Sequence, residues 1–224
     1  MKLKMYAHGQ PGLLIAVCGL DGCGKSTQIE LLKTRLQSEG LTVRLTKQPT
    51  AAVRQSDIFR TYMDKPDHAA FNYRSLSLLC ASDRLQHCGH VILPALETGG
   101  VVLSDRYYYS CLANLRARGY TQDRWIYEIA RFVPKPDLAV FLDVPVDLAV
   151  ERVRAREAER DRYIDMALQH RLRKEYVKIA EKNKALLLDS SKAPEETFAA
   201  ILKAVNRLDK YHQFKKSGKN LCHM

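Results

Sequence analysis

Short apolar runs recur along the chain, and each is followed by a stretch whose apolar residues return every three or four positions. Leu13–Val17 reads as a buried strand; Lys25–Glu39 follows with Ile29, Leu32 and Leu36 at helical spacing, and Gly40 ends it. Leu41–Leu45, Val101–Leu103, Leu138–Leu142 and Leu186–Leu188 repeat the strand pattern. Between them, helical spacing covers 71–96, with a bend expected near Gly89 and Pro94, and then Ser110–Ala117, Gln122–Phe132, Val146–Arg156, Ile164–Lys182 and Pro194–Leu208. Strands that are apolar throughout, rather than alternating, are buried on both faces. The pattern therefore predicts an α/β fold with a five-stranded parallel sheet and helices on both sides. No repeat or flexible linker divides it, so residues 1–209 read as one domain. Periodicity is lost after Asp209, and 210–224 read as a basic, flexible tail.

Composition narrows the class. The chain has 224 residues, 46% of them apolar, which suffices for a core. Its formal charge of +11 would suit nucleic acid, a membrane surface or small anionic substrates. The excess gathers between Arg152 and Arg162 and near the C-terminus, where Lys203, Arg207, Lys210, Lys215, Lys216 and Lys219 face only Asp209. That terminus lacks interleaved aromatic residues, so nucleic acid is not an expected partner. No apolar run approaches the ~20 residues that span a bilayer, and no signal peptide is read before Leu13. Six scattered cysteines without C-x-x-C spacing suit a reducing, cytoplasmic setting. His87 and His90 could share a metal, but no second ligand pair stands near them, and a helix face is the favoured reading.

The sharpest signal is Gly19-Leu20-Asp21-Gly22-Cys23-Gly24-Lys25-Ser26, a match to G-x-x-x-x-G-K-[ST] between an apolar strand and an amphipathic helix. Glycines let the backbone turn tightly and present N–H groups to phosphate, at a helix N-terminus that favours the same anion. Lys25 would reach the β- and γ-phosphates and Ser26 would ligate Mg²⁺. A guanine-reading N-K-x-D is missing, since Asn183-Lys184-Ala185-Leu186 lacks the acid. The chain is small for a motor, which leaves a small-molecule kinase using ATP. At the end of the third strand, Asp105 could hold magnesium or orient the attacking oxygen, and Arg106 could clamp an acceptor phosphate. The alternative is a surface pair capping the next helix.

At this point the chain resembles the thymidylate kinase family of nucleoside monophosphate kinases. The resemblance rests on the loop with acidic Asp21; Thr46-Lys47-Gln48-Pro49-Thr50; Ala81-Ser82-Asp83-Arg84 through Pro94-Ala95-Leu96-Glu97; and Asp105-Arg106-Tyr107 with Ser110 and Ala113. Pro136-Asp137-Leu138, Leu142-Asp143-Val144 and an arginine-rich segment with Arg154, Arg156, Arg160 and Arg162 complete it. It implies that Gly19, Asp21, Gly22, Cys23, Gly24, Lys25, Ser26 and Thr27 form the nucleotide-binding loop. Asp21 would also meet the acceptor's sugar hydroxyl, Arg106 its phosphate and Arg84 its base, with Asp105 as the metal and catalytic acid. A mobile lid over 154–163 would bring Arg156 and Arg162 to the transferring phosphoryl group. Family members place a basic residue either inside the loop or on the lid; Gly22 makes this chain resemble the lid-dependent kind. The acceptor would be a nucleoside monophosphate such as dTMP, and the family commonly forms homodimers. The base pocket departs from the family pattern: Cys80 stands where an aromatic residue stacks on thymine, Asn114 and Leu115 follow Ala113, and Gln48 replaces a glutamate. Phe71, Tyr73, Tyr108 and Tyr109 are candidates for a replacement ring. A kinase of another small metabolite and a non-catalytic nucleotide-binding regulator both stay open.

Overall fold

A computed structural model describes residues 2–213. Its sheet has five parallel strands in the order β2-β3-β1-β4-β5: β1 Leu13–Gly19, β2 Val43–Lys47, β3 Val101–Asp105, β4 Leu138–Asp143 and β5 Leu186–Asp189. All seven residues of β1 are buried, as its unbroken apolar run requires of a central strand. Helices α1 (Lys25–Ser38) and α10 (Pro194–Val205) pack together against one face. On the other lie α4 (Tyr73–His87), α6 (Tyr108–Ala117) and α9 (Met166–Asn183). Val17 of β1 is in register with Asp105 of β3, so the two chain segments that follow these strands leave the sheet side by side. Parallel sheets bind ligands beyond such carboxyl ends.

Several boundaries differ from the sequence pattern for physical reasons. β2 lies at Val43–Lys47 rather than Leu41–Leu45, because it is an edge strand and Leu45 is exposed. The helical stretch expected over 71–96 is α4, a π-helical turn at Cys88–Ile92, and α5 at Leu93–Glu97. The turn falls where Gly89 and Pro94 interrupt regular bonding, since proline brings no N–H. Gln122–Phe132 contracts to α7 (Trp125–Ile129) and one 3₁₀ turn. Two short helices, α2 (Ala51–Arg54) and α3 (Asp57–Asp64), occupy a stretch to which the sequence pattern assigned no element. The arginine-rich segment leaves α8 (Val146–Arg154) and passes through one 3₁₀ turn at Glu157–Glu159 before α9.

The expected domain boundary after Asp209 is corrected. The chain turns through a helical segment at 209–213, and Tyr211 is fully buried with its hydroxyl on Glu39. Lys210 Nζ stands 2.8 Å from Asp137 Oδ1. Apolar periodicity fails here because one ring and one ion pair anchor the segment, with no repeating face. The remainder of the expected tail, 214–224, lies outside the described residues.

Candidate active site

The glycine loop folds tightly onto its surroundings. Gly22 has φ +81°, and a Cβ there would lie 2.0 Å from the carbonyl oxygen of Ala149 on α8. A Cβ on Gly19 would meet Leu142 O at 2.5 Å. Neither position tolerates a side chain, which explains two of the three glycines by contact with backbone. Gly24 precedes α1 in left-handed conformation, and no side chain caps that helix. The first N–H groups of α1 therefore face outward beside exposed Ser26 and Thr27, as an anion site requires. Lys25 is buried, and its Nζ donates to Leu20 O at 2.6 Å and Gly19 O at 3.3 Å.

Around this loop the structure gathers a cluster of charge. Asp21 Oδ1 accepts from Arg106 at 2.6 Å and Asp21 Oδ2 from Arg162 at 3.2 Å, with Lys25 Nζ 4.0 Å away. Burial works against ionisation of Asp21, but Arg106, Lys25 and Arg162 outweigh it and hold the carboxyl well below the usual carboxylate range. Arg106 takes φ +68°, uncommon for a side-chain-bearing residue. Its N–H donates to Val17 O at 2.8 Å, and its carbonyl accepts from Ser104 Oγ at 2.6 Å. The guanidinium is also bound to Tyr176 Oη at 2.8 Å, and that hydroxyl donates to Ser110 Oγ at 3.0 Å. Burial pushes Tyr176 up to about 12, so it stays a neutral phenol able to do both.

Asp105 is largely buried and pairs with Lys47 at 3.5 Å, while its Oδ1 has no hydrogen-bond partner among the described residues. The unshared Asp105 oxygen and the exposed hydroxyl of Ser26 are hard donors of the kind Mg²⁺ takes. Beside the cluster opens a cavity of about 420 Å³. Asp21, Arg106, Arg156 and Arg162 line it together with Tyr73, Cys80 and Arg84. Arg84 is buried, donating to Cys80 O at 2.9 Å.

The thymidylate kinase family model matches residues 17–201. The chain belongs to the thymidylate kinase family. A probable thymidylate kinase of Pyrococcus abyssi is 38% identical over 192 residues, covering 83% of this chain and 91% of its own. A thymidylate kinase of Geobacillus sp. is 33% identical over 196 residues, covering 84% and 92%. The solved thymidylate kinase of Candida albicans superposes with a TM-score of 0.67 at 23% identity, over 89% of this chain and 93% of that one, and supports the fold.

Within this thymidylate-kinase-family site the sequence-derived residues divide into groups. Lys25, Asp21, Arg106 and Arg162 stand in one cluster, and Asp105 is joined to it through the β1–β3 pairing. Arg84 borders the same cavity on α4, and Arg156 lines it while remaining exposed. Of the four candidate rings, only Tyr73 lines the cavity; Tyr108 and Tyr109 are core residues. His87 is bonded to Thr46 and His90 is exposed, so the pair sits on a helix face and its π-helical continuation. Lys47, Tyr176 and Arg118 escaped the sequence reading. Lys47 lies two residues before Pro49 in the Thr46–Thr50 segment, but only strand register brings it to Asp105. No local pattern marks Tyr176, whose partners are 66 and 70 residues away.

Proposed function

We propose that this thymidylate-kinase-family protein transfers the γ-phosphoryl group of ATP to the 5′-phosphate of a nucleoside monophosphate, with dTMP as the acceptor. An acceptor phosphate oxygen forms the new bond to γ-phosphorus, the bond to the β–γ bridging oxygen breaks, and ADP leaves. The observation that carries the reading is the shared position of Asp21: it belongs to the phosphate loop, pairs with Arg106 and Arg162, and lines the cavity. Donor and acceptor would thus meet across one carboxylate.

This chemistry is mostly positioning and charge stabilisation. Loop N–H groups and Lys25 would hold the donor phosphates, and Arg106 the acceptor phosphate. Asp21 would fix Arg106 and reach the sugar hydroxyl. Arg162, with Arg156 beside it, would spread the negative charge of the transferring group, because Gly22 leaves no room for a cation inside the loop. Ser26 and Asp105 would hold Mg²⁺, which when bound neutralises charge on the β- and γ-phosphates. Family membership favours this reading over a kinase of another metabolite or a regulatory nucleotide binder. A cytoplasmic setting and a homodimer belong to the same proposal. The first is supported by buried free thiols at Cys18, Cys23, Cys80, Cys88 and Cys111.

Lys25→Ala tests it: circular dichroism should show an intact fold while ATP-dependent formation of dTDP disappears. Near wild-type turnover in a folded variant would remove the assignment.

A further inference from the structure

The cavity wall formed by α4 and α6 carries two facing stripes. On α4, Ser77, Cys80 and Arg84 line the cavity at i, i+3 and i+7. On α6 and its C-cap, Cys111, Asn114 and Arg118 repeat that spacing. The two helices pack together, so both stripes border one space. Ser77 Oγ and Arg84 Nε are buried and, among the described residues, have no hydrogen-bond partner. Buried polar groups are rarely left so, and a ligand's polar edge would satisfy both.

The second stripe holds a flat cation in place. Arg118 Nη1 donates to Asn114 Oδ1 at 2.9 Å, and Asn114 Nδ2 donates to Ser110 O at 3.0 Å. The Arg118 guanidinium lies 4.1 Å from the centre of the Tyr73 ring, with Tyr62 edge-on to that ring at 5.0 Å and Tyr120 stacked at 6.2 Å. Tyr73 is therefore enclosed by its neighbours, and the group fixed against it is a guanidinium. Cys80 supplies no ring.

Resting on the proposed nucleotide kinase activity, in which the family resemblance already sets Arg84 at the acceptor base, we infer that Arg118 is the stacking surface for that base, that Asn114 is its positioning residue, and that Ser77 joins Arg84 at the base edge. A guanidinium plane stacks on bases as a ring does. Arg84 can only donate, whereas Ser77 can donate or accept. They suit an edge that sets a carbonyl oxygen beside a ring N–H, as thymine, uracil and guanine share. Cytosine and adenine would turn an amino donor toward Arg84.

The test compares wild type with Arg118→Ala and Arg118→Lys, measuring dTMP affinity by calorimetry and kcat/KM for dTMP and for 2-deoxyribose 5-phosphate. Base stacking measured elsewhere predicts a loss on the order of tenfold or more for dTMP in both variants. Arg118→Lys keeps the charge and loses the plane, so it carries the test if Arg118→Ala fails to fold. The base-free acceptor and the KM for ATP should stay within about twofold of wild type, too small a change to count as a lost contact. Equal loss on both acceptors, or dTMP affinity unchanged in Arg118→Lys, would overturn the assignment. So would wild-type preference for dCMP or dAMP. A wild type that binds dTMP in this Arg118-dependent way but transfers no phosphoryl group would instead overturn the proposed kinase activity and leave the base subsite standing.

Discussion

Tyr211 is the residue whose importance the chain's local pattern hides most completely. Its ring is fully buried, and its hydroxyl donates to Glu39 near the end of α1. A buried tyrosine removes roughly 150–250 Å² from water, which at about 25 cal/mol per Å² gives an upper bound near 4–6 kcal/mol. Glu39 keeps Arg35 at 2.7 Å, so Tyr211→Ala leaves no isolated charge. We expect a loss of about 3–4 kcal/mol, in line with aromatic-to-alanine changes in cores. For a chain of this length that corresponds to a fall of roughly 10 °C in melting temperature. Thermal unfolding of the full chain, followed by circular dichroism, reads it directly. Truncation after Asp209 should fall at least as far, because it also removes Lys210 from Asp137. A shift of less than about 2 °C in Tyr211→Ala would show that the ring contributes little and that the domain ends at 209.

Three further outcomes follow from the site and its supports. Arg162→Ala should lower kcat by about a hundredfold to a thousandfold with little change in ATP affinity, and Arg156→Ala by about tenfold or less, since Arg162 is seated on Asp21 and Arg156 is exposed; steady-state kinetics showing equal losses would refute the ranking. Gly22→Ala should abolish nucleotide binding and lower the melting temperature, because the left-handed backbone costs about 1–2 kcal/mol and α8 must also move away from the new Cβ; an unshifted melt with full activity would contradict the close contact. Burial opposes ionisation of Asp137, but bonds from His8, Leu14 N and Lys210 hold its carboxyl below the usual range. A depressed pKa stabilises the fold above the ordinary carboxylate value of about 3.9 and ceases to do so as pH falls through the lower folded value. Asp137→Asn should therefore cost about 3 kcal/mol at pH 7, with the gap to wild type narrowing in acid; a gap that is constant down to about pH 2 would refute it.

The parts of this fold that were legible in the sequence are those whose physics is local. A continuous apolar run, three glycines and a lysine at fixed spacing foretold β1, the tight glycine loop and α1, which Lys25 opens. The site's second layer was illegible because tertiary geometry creates it. Asp105 meets Lys47 only through the register of β2 and β3. Arg106 reaches Asp21 by taking a left-handed backbone that no residue pattern announces. α3 is one turn longer than its neighbour α2, and its Ser56 cap accepts from Phe59 N at 3.4 Å. That serine was a readable start signal, but eight residues show too few repeats for the apolar period to stand out. Cys80 was legible as a missing ring, whereas Arg118 at the same pocket was not, because its contact with Tyr73 crosses between two helices.

The proposed transfer sets the ATP phosphates and a nucleoside monophosphate on either side of Asp21, the residue of the glycine loop that lines the cavity. The most direct measurement is ³¹P NMR of the purified chain with ATP, Mg²⁺ and, in separate reactions, dTMP, dUMP, dGMP, dCMP and dAMP. With dTMP, dTDP and ADP should appear in equal amounts. Release of inorganic phosphate without a nucleoside diphosphate product from the acceptor, or no turnover with any of these acceptors, would contradict it.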